Sequence, residues 1–167
     1  MDSNIILIGF MGAGKSTVGR MLAEYLRWSF ADLDSLIEAS AGCAIREIFA
    51  REGEAFFRDL ETAQLRKMAL LRKTVVATGG GAVMRAENRV LLKQMGTVVY
   101  LCARLETLRQ RVAQSTDRPL AQNPEHFVAL LEERRRFYEE ADIVVDTDAC
   151  RVPEIVQRIA GMIGIDG

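Results

Sequence analysis

The strongest chemical signal lies near the start of the chain, in Gly9-Phe10-Met11-Gly12-Ala13-Gly14-Lys15-Ser16. This segment fits the pattern GxxxxGK[ST], in which backbone N–H groups, a helix N-terminus and a lysine surround phosphate groups. Lys15 would reach the terminal phosphates of a nucleotide, and the Ser16 hydroxyl could bind Mg²⁺. A glycine-rich turn without a ligand would explain the glycines but not the Lys-Ser pair. We therefore predict a nucleotide site formed by Gly12, Ala13, Gly14, Lys15, Ser16 and Thr17.

Two carboxylates follow a weaker apolar run, in Asp32-Leu33-Asp34. One of them could orient Mg²⁺-bound water, while the other accepts a proton from a substrate hydroxyl. The alternative for Asp34 is a purely structural role as the cap of the next helix. The chain contains neither the NKxD nor the DxxG motif of GTPases. A small-molecule kinase is therefore the leading hypothesis.

The elements that must position these residues follow from the hydrophobic pattern. Short apolar runs alternate with segments of helical period, which is typical of a parallel sheet covered on both faces. This pattern predicts an α/β fold with five strands, at Ile5–Ile8, Phe30–Asp32, Val75–Ala77, Val98–Leu101 and Ile143–Val145. Helices are predicted at Lys15–Leu26, Ser35–Ser40, Ile45–Arg51, Glu54–Arg72, Ala86–Gln94, Leu105–Ala113, Glu125–Glu140 and Pro153–Ile163. Trp28, Phe49, Phe56 and Phe57 are predicted to be mainly core residues.

Length and composition limit the class of protein. The 167 residues are about the size of one domain, so we expect a single unit over residues 1–167. The formal net charge of -1 gives no global attraction for nucleic acid or anionic membranes. Three cysteines without ligand spacing favour reduced thiols, and we expect a cytoplasmic protein. The polar stretch Gln114–Pro124 is predicted to be a mobile loop.

Over nearly its full length the sequence resembles the shikimate kinases. The resemblance is carried by GFMGAGKSTVGRMLA, DLDSLIE, IFAREGEAFFRDLE, TGGGAV, DRPLA and RRRFYEEADIVVDT. It implies a three-layer P-loop kinase of the nucleoside-monophosphate-kinase type with a five-stranded parallel sheet. It also implies transfer of the γ-phosphoryl group of ATP to the 3-hydroxyl of shikimate, with Mg²⁺, in the pathway of aromatic amino-acid biosynthesis.

The resemblance assigns roles to the residues around the acceptor. Asp34 matches the family aspartate that contacts the shikimate hydroxyls and is the candidate base, and Asp32 matches the acid that approaches Mg²⁺ through water. Arg58 matches the arginine that holds the substrate carboxylate, with Glu61 in support. The alternative for Arg58 is an ion pair with Glu54, Glu61 or another local acid. The backbone of Gly79, Gly80 and Gly81 matches a segment that the family uses to bind substrate.

Further arginines complete the predicted site. Arg134 matches the second carboxylate-binding arginine, although its neighbours Arg135 and Arg136 leave the register open. Arg118, in the loop around residues 114–124, matches the lid arginine that reaches the ATP phosphates and takes part in catalysis with Lys15 and Asp34. Arg111 matches an arginine near the nucleotide. A solvated surface arginine is the alternative for each.

The expected partners are therefore shikimate and ATP, and we expect a monomer without nucleic-acid or membrane partners. A related small-molecule kinase, such as a gluconate kinase, is the nearest enzymatic alternative. A catalytically silent nucleotide-binding module is the alternative from another class.

Overall fold

The computed structural model describes residues 3–114 and 123–165. In these residues the strands are β1 (Asn4–Ile8), β2 (Ser29–Asp32), β3 (Thr74–Ala77), β4 (Gly96–Cys102) and β5 (Ile143–Asp146). They form one sheet in the order β2-β3-β1-β4-β5, and all neighbouring strands run parallel. The register aligns Ile5 of β1 with Val75 of β3 and with Thr97 of β4. The predicted α/β fold with a five-stranded parallel sheet is confirmed.

Helices cover the sheet: α1 (Lys15–Leu26), α2 (Leu33–Ala41), α3 (Ile45–Met68), α4 (Ala86–Met95), α5 (Leu105–Ala113), α6 (Pro124–Tyr138) and α7 (Val152–Ile163). Because crossovers between parallel strands are right-handed, the strand order places α3, α4 and α6 on one face and α1 on the other. Helix α7 packs against α1. The central strand β1 is buried along its whole length, as a strand between two helical layers must be. None of the described helices is long and apolar enough to cross a membrane.

A side-chain cap explains why α2 begins earlier than predicted. The Asp32 carboxylate accepts a hydrogen bond from the backbone N–H of Ser35 at 3.2 Å, so the helix begins at Leu33. The capping role considered for Asp34 therefore belongs to Asp32, and Asp34 lies in the first turn of α2. The capping interpretation of Asp34 was wrong.

Helix α3 also differs from the prediction. It is a single element interrupted at Gly53, whose backbone is not helical (φ 84°, ψ 174°), at the point where the sequence predicted a break between two helices. The helix ends at Met68 rather than Arg72, and just after it the backbone N–H of Leu71 donates to the carbonyl of Met68, three residues back, at 3.0 Å instead of continuing the helical pattern.

The prediction that the aromatic residues of this region belong to the core was only partly right. Phe57 is buried, whereas Phe49 and Phe56 are 37% and 44% exposed. Trp28 is partly buried against the core.

The carboxyl ends of the parallel strands bring the predicted site residues to one edge of the sheet. The phosphate-binding segment follows β1, Asp32 ends β2, and residues 79–81 follow β3. The connection that leaves β1 leads to β2 on one side of the sheet, whereas the connection that leaves its neighbour β3 leads to β4 on the other side. Where the connections diverge in this way, a crevice opens in which α/β proteins bind ligands. The fold therefore positions the candidate site at this edge.

Candidate active site

The phosphate-binding loop closes tightly between β1 and α1. Gly12 and Gly14 adopt positive φ angles of 82° and 90°, and Gly14 is the N-terminal cap of α1. A Cβ added at Gly12 would lie 2.9 Å from the carbonyl oxygen of Leu108, so the loop also packs against α5. Lys15 begins α1, and its Nζ donates to the carbonyl oxygens of Gly9 at 2.7 Å and Phe10 at 3.0 Å. A lysine amine folded over a helix N-terminus is suited to binding phosphate.

Two oxygen donors beside this loop fit the predicted magnesium site. The Ser16 hydroxyl donates to Asp32 Oδ2 at 2.6 Å, while Oδ1 of the same carboxylate caps α2. Within residues 3–114 and 123–165, no group of three or more His, Cys, Asp or Glu side chains could hold a metal ion. A cation here would therefore need additional oxygens from phosphate and water, which is how Mg²⁺ is usually bound next to nucleotides. Thr17 is exposed in the same helical turn.

The carboxylate of Asp34 lies against the first of the three glycines that follow β3. A Cβ added at Gly79 would be 2.6 Å from Asp34 Oδ1 and 3.3 Å from Oδ2. Contacts of 2.6 Å with a real Cβ do not occur, so only glycine allows the carboxylate this position. The candidate base is thus held at the backbone of the predicted substrate-binding segment.

The next two glycines face the two predicted carboxylate-binding arginines. A Cβ at Gly80 would lie 3.2 Å from Arg134 Nη1, and one at Gly81 would overlap the guanidinium of Arg58. The Gly80 Cβ would also lie 3.6 Å from the backbone nitrogen of Met11 in the phosphate-binding loop. Three consecutive glycines therefore bring a carboxylate and two guanidinium groups together, next to the phosphate-binding loop.

Arg58 is held in place by acidic neighbours on α3. It is only 9% exposed, and its Nη1 donates to Glu61 Oε2 at 2.9 Å while Nη2 is 3.4 Å from Glu54 Oε1. The ion pair considered as an alternative is therefore present, and it orients the guanidinium toward Gly81 without excluding a role in binding. Burial raises the pKa of Glu61 above its ordinary value, although the charge of Arg58 acts in the opposite direction.

The structure distinguishes Arg134 from its neighbours on α6. Arg134 is 8% exposed, whereas Arg135 and Arg136 are exposed, and Arg135 pairs with Glu132. The Nε of Arg134 is buried and has no hydrogen-bond partner in the part of the chain that the structure describes. Its guanidinium carbon lies 5.8 Å from the ring centroid of Phe10 in the phosphate-binding loop. Burial and an unused donor match the chemistry of an arginine that receives an anion.

Arg111 links the phosphate-binding loop to the end of β5. Its Nη1 donates to the Gly12 carbonyl at 3.3 Å and to the Thr147 hydroxyl at 3.1 Å, and its Nη2 donates to the Thr147 carbonyl at 3.2 Å. Arg111 is therefore not a solvated helix residue. It contacts the loop that is predicted to bind the nucleotide and braces that loop. Arg118 belongs to residues 115–122, which lie outside the described residues.

Sequence reasoning missed a buried polar network beneath the glycines. The Thr62 hydroxyl lies 3.0 Å from the carbonyl oxygen of Arg58 and 2.8 Å from Asn88 Oδ1. Asn88 Nδ2 donates to the carbonyl of Ala82 at 3.0 Å. The network joins the helix turn of Arg58 to the segment after the glycines. The spacing of Thr62 four residues after Arg58 was a weak signal, but its contact with Asn88 spans 26 residues.

Comparison with known proteins gives one consistent family. The shikimate kinase family model matches residues 11–163. Shikimate kinase of Moorella thermoacetica is 46% identical over 161 residues, covering 95% of this chain and 93% of that protein. Shikimate kinase of Chromohalobacter salexigens is 50% identical over 162 residues, covering 92% and 90%.

Solved structures agree with these sequence matches. The shikimate kinase of Acinetobacter baumannii, solved in complex with shikimate, superposes with a TM-score of 0.92 at 41% identity, covering 98% of this chain and 93% of that one. A sugar kinase from Janibacter at 16% identity has a TM-score of 0.70, which shows the shared fold alone. Since both the family model and the curated relatives match over nearly the whole chain, this protein belongs to the shikimate kinase family.

Proposed function

We propose that the chain transfers the γ-phosphoryl group of ATP to the 3-hydroxyl of shikimate, giving shikimate 3-phosphate and ADP, and that the site described above carries out this transfer. The family match and the curated relatives support a phosphotransferase of the shikimate pathway rather than a silent nucleotide-binding module. The observation on which the residue roles rest is the contact of Gly79, Gly80 and Gly81 with Asp34, Arg134 and Arg58, respectively.

Arg58 and Arg134 would bind the carboxylate of the acceptor. A guanidinium presents a planar fork of donors that matches a carboxylate in two parallel hydrogen bonds. Glu61 holds the fork of Arg58, while Arg134 reaches the same glycine segment from α6. Two forks fixed at consecutive glycines would orient a ring carboxylate, and the relative from Acinetobacter baumannii has shikimate bound in its structure.

Asp34 would accept the proton of the acceptor hydroxyl as phosphoryl transfer proceeds. Its carboxylate is fixed against Gly79, one residue from Gly80, which approaches the phosphate-binding loop. This arrangement would place the oxygen that is to be phosphorylated between the base and the phosphate site. Positioning and charge stabilisation account for most of the catalysis in phosphoryl transfer.

Lys15 and the N-terminus of α1 would stabilise the charge on the phosphate oxygens. Ser16 would bind Mg²⁺ directly, and Asp32 would do so through water. The bound ion would neutralise charge on the β- and γ-phosphates. Gly12, Ala13, Gly14, Thr17 and Arg111 would complete the ATP site, and Arg118 would add a cation from the segment around 114–124. We further propose one unit over residues 1–167, acting as a cytoplasmic monomer without nucleic-acid or membrane partners.

An acceptor panel tests the substrate. We expect ADP formation by the purified protein to depend on shikimate, with quinate and gluconate as weaker acceptors or none. A coupled spectrophotometric assay of ADP would measure all three. Turnover of gluconate in preference to shikimate, or no turnover with shikimate, would overturn the proposed acceptor.

The role of Asp34 is tested by Asp34→Asn, which keeps the size of the side chain and removes the base. We expect ATP binding to persist and transfer to fall by two or more orders of magnitude, as loss of a general base does. Asp59→Asn is the matched control, because Asp59 lies on α3 in an exposed ion pair with Arg85. Full activity of Asp34→Asn would contradict the assignment.

A further inference from the structure

Tyr138, the last residue of α6, makes a partly buried hydrogen bond that the proposed mechanism does not use. The side chain is completely buried, and its hydroxyl donates to the carbonyl oxygen of Gly80. A Cβ added at Gly80 would lie 3.7 Å from this hydroxyl and 3.2 Å from Nη1 of Arg134. The same glycine therefore contacts the phenol and the guanidinium.

Arg134 and Tyr138 are four residues apart, so their side chains leave the same face of α6. Burial raises the pKa of Tyr138, although the charge of the nearby Arg134 acts in the opposite direction. The phenol thus keeps its proton at neutral pH and remains a donor to Gly80.

The ring of Tyr138 is fixed by stacking. Its centroid lies 5.1 Å from that of Tyr100 on β4, with an angle of 23° between the ring planes. Among the described residues the Tyr100 hydroxyl makes no hydrogen bond. The two rings therefore stack on each other, but only the Tyr138 hydroxyl is hydrogen-bonded. This difference provides a matched control for the hydroxyl of Tyr138.

We propose that the Tyr138 hydroxyl is a positioning residue for acceptor binding: by joining α6 to the backbone of Gly80, it sets the place of the Arg134 guanidinium relative to the glycine segment. Without this bond, Arg134 would keep its charge but lose its fixed orientation toward the acceptor. The inference rests on the proposed role of Arg134 as a ligand of the acceptor carboxylate. A bidentate hydrogen-bonded contact depends steeply on the orientation of the guanidinium. Removing the hydroxyl should therefore weaken acceptor binding more than it lowers the stability of the protein.

Kinetics of five proteins test the inference: the wild type, Tyr138→Phe, Tyr100→Phe, Arg134→Ala and the double variant Tyr138→Phe/Arg134→Ala. Initial rates are measured against shikimate and against ATP, together with thermal unfolding. We expect Tyr138→Phe to raise the shikimate KM about tenfold, the effect of losing one hydrogen bond, with the ATP KM unchanged. Tyr100→Phe should behave as the wild type. In the double variant, Tyr138→Phe should add nothing to the effect of Arg134→Ala, because it acts through that side chain.

Each other outcome has a definite meaning. If Tyr138→Phe raises the shikimate KM equally in the presence and absence of Arg134, the hydroxyl does not act through the arginine and the inference fails. If Tyr138→Phe destroys cooperative unfolding or ATP affinity, the hydroxyl is a structural group and the inference also fails. If Arg134→Ala leaves the shikimate KM unchanged, the proposed role of Arg134 itself is wrong. A raised shikimate KM in Tyr138→Phe but not in Tyr100→Phe supports the inference only if Tyr138→Phe causes no further rise when Arg134 is already alanine.

Discussion

The position of the candidate base can be tested by adding one methyl group to its neighbour, in Gly79→Ala. The backbone of Gly79 does not adopt a left-handed conformation, so alanine can take its place without backbone strain. The new Cβ would lie 2.6 Å from Asp34 Oδ1, whereas ordinary contacts begin at 3.4 Å. The carboxylate must therefore move by about 0.8 Å, while the Asp34 side chain itself is chemically unchanged.

A displacement of this size is large for catalysis and small for folding. Misplacement of a reacting group by about 1 Å costs roughly 100-fold in rate, which corresponds to about 2.7 kcal/mol of activation free energy. We expect kcat to fall by roughly this factor in Gly79→Ala, with the ATP KM unchanged. The melting temperature should change little, because the carboxylate that must move is the end of a side chain.

Steady-state assays at saturating ATP and varied shikimate separate kcat from KM. Gly161→Ala is the matched control, since it is the same substitution in the last turn of α7, where an added Cβ has no neighbouring atom within 4 Å. It should leave kcat unchanged and stabilise the protein by up to about 1 kcal/mol through helix propensity. A wild-type kcat in Gly79→Ala would refute the reasoning about Asp34. A rise in shikimate KM alone would show that the methyl group occupies acceptor space instead.

Three further predictions concern the groups around this centre. Arg58→Ala should weaken shikimate binding by about 2–5 kcal/mol, because a buried charged fork is lost; the shikimate KM measures this, and an unchanged value would remove Arg58 from the acceptor site. Asp32→Asn keeps a side chain that can cap α2, so a roughly tenfold higher Mg²⁺ requirement would report the lost charge, whereas an unchanged requirement would contradict the metal role. Burial raises the pKa of Glu61, so acidification should raise the shikimate KM as Glu61 becomes neutral and releases Arg58, and this part of the pH dependence should be lost in Glu61→Gln.

The direction of the Glu61 pKa shift distinguishes an effect of pH on shikimate binding from an effect of pH on unfolding. The folded protein holds the Glu61 proton more tightly than the unfolded chain does, since burial raises the pKa. Glu61 therefore contributes stability below pH 4.5, and this contribution is lost as the pH rises through the raised pKa. A loss of shikimate affinity on acidification consequently does not arise from unfolding driven by Glu61. Thermal unfolding at each pH, alongside the kinetics, would check this directly.

Local patterns were sufficient for the strand and helix order and for the phosphate-binding loop. The alternation of apolar runs with helical segments predicted all five strands to within two residues of their observed bounds. Burial between two helical layers demands continuous apolar residues in the central strands such as β1 and β3, whereas the edge strand β2 is only partly buried and gave a weaker signal. Gly14 and Lys15 could be assigned to the phosphate-binding loop because that loop and the helix after it are contiguous in the sequence. The expected break near Gly53 was also visible, since glycine permits the non-helical backbone found there.

The acceptor side depended on contacts that no local pattern contains. Sequence reasoning by itself chose Arg134 only through resemblance, whereas the fold buries Arg134 and turns Arg135 and Arg136 to solvent. It could not show that Gly79 touches Asp34, or that the Tyr138 hydroxyl reaches Gly80, 58 residues away. The sequence by itself determined which chemical groups are present, because residue types and their spacing can be read from short stretches of the chain. Only tertiary packing decided which of them meet, since parallel strands and their helices bring distant segments to one edge of the sheet.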